Sequence, residues 1–296
     1  MNIMTIDVED WYQSQDFNLD RSKWGDFEPR VEYSTKVLLD ILDKYNTRAT
    51  FFILGYIALN NPQLVKEIAS RGHEIGSHGM WHKMVSRQTR DEFRHELLYS
   101  KKSLEDITGQ QIKMFRAPTW SISLDTLWAL ETLEEEGFIC DSSIQPFATP
   151  LSGVRGAPVD PYHPIVNNRR LKLLEFPPTV LKSPIGVIPF SGGLYLRTLP
   201  YKAVDWALRK VNQKRPGMVY VHPWELDVEQ PKLKVPFLIR QAHYFNIKTT
   251  KDKVEKLLES YSFTCLGEFV HCRQYPCINI QKNFTHEKPE SAYAKV

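Results

Sequence analysis

The chain has no apolar run of eighteen residues or more, which excludes a membrane-spanning helix. Neither sign of charge dominates: 38 Lys plus Arg stand against 35 Asp plus Glu, a formal net charge of +3. So balanced a chain gives no reason to expect a nucleic-acid or membrane-surface partner. Cysteine is scarce, with only Cys140, Cys265, Cys272 and Cys277. The start, MNIMTIDVEDWYQ, lacks the basic stretch followed by a long apolar stretch of a secretion signal. The four thiols are therefore expected to be reduced and the location cytoplasmic, or at the cytoplasmic face of a membrane; a Cys272–Cys277 disulfide is the alternative. No internal repeat is visible. What the chain does have is 296 residues, 42% hydrophobic and 12% aromatic. That is enough to bury a large core without disulfide or metal staples, and it excludes bulk disorder.

The first half alternates two hydrophobic periods. Asn2 to Ile6, Ala49 to Leu54, His73 to Ser77, Ile112 to Phe115 and Phe138 to Cys140 read as short buried strands. Between them, apolar residues recur at helical spacing, as at Val37, Leu38, Ile41, Leu42 and Tyr45. Boundary signals agree. Asn61-Pro62 opens one helix and Gly72 closes it; Thr89 with Glu92 forms a capping box, and Gly109 and Gly137 end two more helices. Strand–helix–strand alternation with short connections predicts parallel strands with helices outside. From about 142 to 200, proline- and glycine-rich turns separate short apolar runs, which predicts a β-rich insertion. Helices resume at Tyr201 to Lys214, a strand at Met218 to Val221, and two helices near Phe237 to Phe245 and Thr250 to Tyr261. A single domain over 1–273 is expected, followed by a loose tail over 274–296.

Ionisable residues collect at the C-terminal ends of these strands, where parallel α/β folds place their sites. After the first strand come Asp7, Glu9 and Asp10. On an extended chain Asp7 and Glu9 share a side, so one could bind a metal while the other acts as a base; a solvated acidic turn is the bland alternative. His78 and His82 follow the third strand at i, i+4 and would face one way on a helical turn. Two imidazoles and one carboxylate leave a divalent ion an open position for water. Arg116, in the RAPTW segment, can hold a carboxylate ionised, although such an arginine is often a surface ion pair. His222 leaves an apolar strand with its tip open, as a general acid requires or as a hydrogen-bonded core histidine would.

In this order the features resemble the NodB-like polysaccharide deacetylases of carbohydrate esterase family four. The segments are Thr5 to Asp10 (TIDVED), His78 to His82, Arg116 to Trp120, Cys140 to Ser143 (CDSS) and Val219 to His222 (VYVH). The DVEDW start, PFSGGLYLR from Pro189 to Arg197 and YVHPWE from Tyr220 to Glu225 are similar to the branch associated with exopolysaccharide loci. The resemblance covers roughly Asn2 to Phe269. One departure matters: the family has two adjacent aspartates, whereas Val8 follows Asp7 here. This points to Asp7 as base and Glu9 as ligand, with Asp10 the rival ligand.

The resemblance implies a distorted, seven-stranded (β/α) barrel with the insertion over its mouth, and removal of an N-acetyl group from an amino sugar. Glu9, His78 and His82 would hold a divalent ion, zinc foremost. Asp7 would be the base, Arg116 its partner, His222 the acid and Asp141 the residue that orients His222. Trp11, Pro118, Trp120, Gly193, Arg197 and Trp224 are candidate saccharide contacts, the tryptophans equally candidates for packing. Two rivals stay open: a C–N hydrolase acting on a cyclic ureide such as allantoin, and an inactive saccharide-binding protein.

Overall fold

The computed structural model describes residues 1–184, 186–272 and 274–283. In chain order its strands are β1 (Asn2–Val8), β2 (Thr50–Ile53), β3 (Glu74–Ser77), β4 (Met114–Phe115), β5 (Cys140–Asp141), β6 (His163–Val166), β7 (Arg169–Arg170), β8 (Leu174–Glu175), β9 (Val180–Ser183), β10 (Gly186–Pro189), β11 (Met218–Val221), β12 (Phe263–Thr264) and β13 (Cys277–Asn279). Seven of them lie side by side in the order β11-β1-β2-β3-β4-β5-β8, every pair parallel. They form a curled half-barrel, and β12 pairs with the first residues of β1. The strands read as unbroken apolar runs because both faces are covered; β2, TFFI, is buried throughout.

Helices pack outside: α1 (Val31–Lys44), α2 (Gly55–Asn60), α3 (Pro62–Ser70), α4 (Arg90–Thr108), α5 (Trp128–Glu135), α6 (Gly193–Thr198), α7 (Tyr201–Asn212), α8 (Phe237–Tyr244) and α9 (Thr250–Ser260), with short turns of helix at α10 (Gly267–Val270) and α11 (Ile280–Asn283). The Thr89–Glu92 capping box opens α4 and a left-handed Gly109 closes it. On α1, Val31, Leu38, Leu39, Ile41 and Leu42 are the buried stripe. No helix among the described residues is long and apolar enough to cross a membrane.

The half-barrel's open seam lies between β8 and β11. Three contacts bridge it: Tyr220 pairs with Gly192, Met218 N donates to Thr179 Oγ1 at 2.7 Å, and Ser191 Oγ donates to Thr179 O at 2.7 Å. Gly192 is required here, because a Cβ would sit 2.2 Å from the Tyr220 carbonyl oxygen.

Two expectations differ from the structure. The stretch 142–200 is not wholly an insertion, since β8 within it is the last strand of the main sheet; the β9–β10 hairpin and the β6–β7 pair are its appended parts. Nor are residues 274–283 of the predicted tail loose. β13 adds in parallel to β6, and Ile280 is buried. Three residues carry too little pattern to announce a strand; β13 forms because β6, more than a hundred residues earlier, offers a free edge. Residues 284–296 of that predicted tail lie outside the described residues.

Candidate active site

Asp7, Glu9, His78, His82 and His222 stand at or just beyond the C-terminal ends of strands and line a cleft of about 410 Å³. Asp7 is the penultimate residue of β1, and both it and Glu9 are buried and line the cleft. Asp10 does not. Its carboxylate accepts from the backbone N–H groups of Trp11 (2.9 Å), Arg30 (2.9 Å) and Val31 (3.1 Å), capping the turn after β1 and the start of α1. The rival ligand is thus occupied as a cap.

His78 and His82 come from a loop, not the helical turn that their spacing predicts. Gly79 (φ +77°) and His82 (φ +52°) take left-handed backbone and turn the chain. The carbonyls of Gly79 and Met80 accept the first N–H groups of α2 at 2.9 and 3.0 Å, which anchors the loop. His78 Nδ1 faces the Arg116 carbonyl at 2.8 Å. That contact makes Nδ1 the protonated nitrogen and leaves Nε2 its lone pair. Burial holds the His78 imidazole down to about 4, so it is neutral near pH 7.

One ligand atom from each of Glu9, His78 and His82 lies within 4.8 Å of the others. Glu9 Oε2 is buried 2.5 Å from His82 Nε2, yet has no hydrogen-bond partner, as though both atoms address a third body. Burial would raise the Glu9 carboxyl, but the imidazoles of His82, His222 and His78 outweigh it and the net displacement is downward. Two imidazole nitrogens and a carboxylate are a donor set for a divalent ion of the zinc type. The residues present therefore fit such an ion.

Two charged pairs flank this cluster. Arg116, fully buried, donates from Nη1 to Asp7 Oδ1 at 2.6 Å and to Thr5 Oγ1 at 3.0 Å. Its guanidinium carbon lies 4.3 Å from the ring centroids of both Phe52 and Trp120, so aromatic faces help hold the buried charge. On the other flank, His222 Nε2 stands 3.9 Å from Asp7 Oδ2, and its Nδ1 lies 2.9 Å from Glu225 Oε2. Arg197 Nε donates to the other Glu225 oxygen at 2.7 Å. Burial would lower the His222 imidazolium; the charges of Glu225, then Glu9 and Asp7, prevail and push it up to about 9. Burial would likewise raise Glu225, but Arg197 and His222 bring it down to about 2.

Asp141, expected to orient His222, is elsewhere. It is buried, accepts from Ser143 Oγ and shares a hydrogen bond with the Glu175 carboxyl. Glu225 takes the place beside His222. The signal lay three residues away: Pro223 starts a tight turn that folds Glu225 back onto His222 N at 3.0 Å. Arg197 reaches Glu225 rather than shaping a lip, although both it and Gly193 line the cleft. Trp120 lines it too, beside Tyr220. Trp224 lines it, but its ring stacks on His222 and His243, and its Nε1 donates to Glu9 Oε1 at 3.1 Å. Trp11 packs on Tyr12 and Phe27 and donates to Glu28 O at 3.0 Å, away from the cleft, while Pro118 sits beneath it against Gly79. Gln15, Asp16 and Gln145 line the cleft without having been singled out in the sequence, because none stands in a motif; Tyr195, of the PFSGGLYLR segment, lines it too.

Residues 25–137 match the family model "Polysaccharide deacetylase", and residues 142–271 match a domain of unknown function (DUF3473). A Bacillus cereus peptidoglycan-N-acetylglucosamine deacetylase is 31% identical over 126 residues, 38% of this chain and 46% of that one. A Bacillus subtilis peptidoglycan-N-acetylmuramic acid deacetylase is 35% identical over 86 residues, 29% of this chain and 32% of that one. The chain thus spans less than half the length of these relatives. Among solved structures, a Mycobacterium smegmatis protein assigned as a polysaccharide deacetylase matches with a TM-score of 0.60 at 20% identity, over 97% of this chain and 93% of that one. A carbohydrate esterase family four pseudoenzyme from Bacillus anthracis matches at 0.50 and 16% identity, over 94% and 66%. A fold shared with a pseudoenzyme does not decide activity; the residues in the cleft must. The family model covers the strands that lead to His78, His82 and Arg116, the sheet continues unbroken into the second half, and residues 25–137 of the chain are thus similar to a polysaccharide deacetylase domain.

Proposed function

We propose that this protein is a metal-dependent hydrolase that removes N-acetyl groups from an amino-sugar-containing saccharide. The observation that carries the reading is the convergence of Glu9, His78 and His82 within 4.8 Å, between the Asp7–Arg116 pair and the His222–Glu225 pair. A divalent ion held there, zinc foremost, would supply Lewis-acid polarisation of the acetyl carbonyl and a more acidic water. Asp7 keeps Oδ1 on Arg116 and has Oδ2 to accept a proton from the attacking water. As the new carbon–oxygen bond forms and the carbon–nitrogen bond breaks, His222 Nε2 gives its proton to the departing amine. Acetate and a free amino sugar result. Glu225, itself held by Arg197, keeps Nδ1 of His222 protonated and Nε2 directed at the cleft. Each proton-transfer residue should contribute roughly 10²–10⁴ in rate.

The DVEDW, PFSGG and YVHPWE segments support an exopolysaccharide or its precursor as substrate. The test is acetate release from N-acetylglucosamine oligomers by the metal-reconstituted protein, beside Asp7→Asn and His222→Ala. Metal-dependent release that collapses in both variants supports the reading. Stoichiometric metal without release would move it to a different amide, and neither metal nor release would leave a saccharide-binding protein.

A further inference from the structure

Of the eleven large apolar side chains exposed among the described residues, four fall between 228 and 245: Val228, Phe237, Leu238 and Phe245. Phe237 is 66% exposed and Leu238 79%. The stretch 228–248 also carries four exposed cations, Lys232, Lys234, Arg240 and Lys248, against one exposed acid, Glu229. Its histidine, His243, is buried and neutral, the imidazole held down to about 3 by burial and by the Arg197 charge, and Tyr244 is held up by burial. Exposed apolar tips interleaved with cations match neither a solvated helix face nor a protein core. They match an interface that is apolar just below an anionic surface.

The position of this patch gives it meaning. α8 turns Leu238, Ile239 and Ala242 toward the cleft while Phe237 and Leu238 stay open to solvent. The helix is also tied to the site. Arg197 donates to the carbonyls of His243 (2.5 Å) and Ala242 (2.8 Å) and, through Nε, to Glu225. Beside it, Lys232 and Lys248 line a second cavity of about 400 Å³ together with Tyr244, Phe245 and Asp227, whose carboxylate is paired with Arg30.

We infer that the 228–248 face docks on an anionic membrane surface, with Phe237 and Leu238 entering the headgroup region and the cleft mouth held at the bilayer, so that a membrane-held saccharide can enter it. The delivery of substrate rests on the deacetylase reading; the docking does not, and it is measured without turnover. The full chain is floated with phosphatidylcholine vesicles with and without phosphatidylglycerol. Binding is expected only with the anionic lipid and should weaken as salt rises. Each surface lysine removed should cost about fivefold in partitioning, so the triple variant Lys232→Ser/Lys234→Ser/Phe237→Ser should lose at least about twentyfold. None of these three residues lines the cleft, so hydrolysis of a soluble oligosaccharide should persist. Lys234→Glu alone is the milder variant should the triple one fold poorly, and Trp206→Ser, an exposed tryptophan on α7, is the control that should bind normally. No binding to anionic vesicles, equal binding of all variants, equal loss in Trp206→Ser, or burial of this face in a dimer of the chain would overturn the inference and leave the deacetylase reading intact.

Discussion

The two acids after β1 make a sharp test, because they are neighbours in sequence with opposite duties. Glu9→Gln removes the carboxylate oxygen that lies 2.5 Å from His82 Nε2 without a hydrogen-bond partner, while the amide can still accept from Trp224. Asp10→Ala removes an acceptor that serves three backbone N–H groups. A stranded buried donor costs about 1–3 kcal/mol, which would suggest a large sum. Two effects reduce it. Burial already pushes the Asp10 carboxyl up to about 6, so its charge is itself costly, and water can enter the vacated cap. A net loss of about 3 kcal/mol is expected, above the usual range for a helix cap. In a chain of this size that lowers Tm by about 6 °C. Glu9→Gln should leave the apo melting temperature nearly unchanged and weaken divalent-ion binding by about 10²-fold or more. Calorimetric titration with zinc and thermal melting of both apo variants give the two readouts. Metal loss in Asp10→Ala with an unchanged Tm, or a full metal complement in Glu9→Gln, would refute the assignment.

Glu225→Gln should lower kcat roughly 10²-fold with little change in KM, because it removes the charge and the acceptor that hold His222 protonated at the right nitrogen; wild-type kcat in this variant would return the orienting role to another residue. The Asp141–Glu175 pair should make stability fall as pH rises. Burial raises both carboxyls, Asp141 from 3.8 to about 6, so the folded state keeps a proton that the unfolded chain has released. The cost grows from about pH 4 upward, ends for Asp141 near pH 6, and continues above it for Glu175, whose carboxyl is raised well further by burial and by the Asp141 charge. Asp141→Asn should abolish that portion of the profile, read as urea midpoints from pH 4 to 8; parallel profiles would show that the pair shares no proton. Gly192→Ala should destabilise by several kcal/mol, roughly the upper range for single substitutions, because its Cβ would meet the Tyr220 carbonyl oxygen at 2.2 Å as well as the Tyr220 ring, and the backbone cannot swing aside; a Tm equal to wild type would mean that the seam can open at no cost.

The sequence alone carried the parts that depend on local periodicity. Alternating apolar runs and capping signals are short-range, and they marked the strands and helices of the first half nearly to the residue. The side-to-side alternation of an extended chain was enough to set Asp7 and Glu9 on one side. Contacts across long stretches of chain were not legible. Asp141 and Glu225 both precede or follow a strand in plausible motifs, and only the curl of the sheet, with β11 beside β1 and β5 four strands away from it, decides that Glu225 meets His222. The tail's β13 forms only because β6 leaves an edge for it. The tryptophans beside the motifs looked alike in sequence, yet Trp11 is packing and Trp224 holds Glu9. The physical reason is common to all three: a side chain's neighbours along the chain constrain its direction, whereas its chemical partner is set by strand order, and strand order depends on how the whole set of apolar faces is buried together.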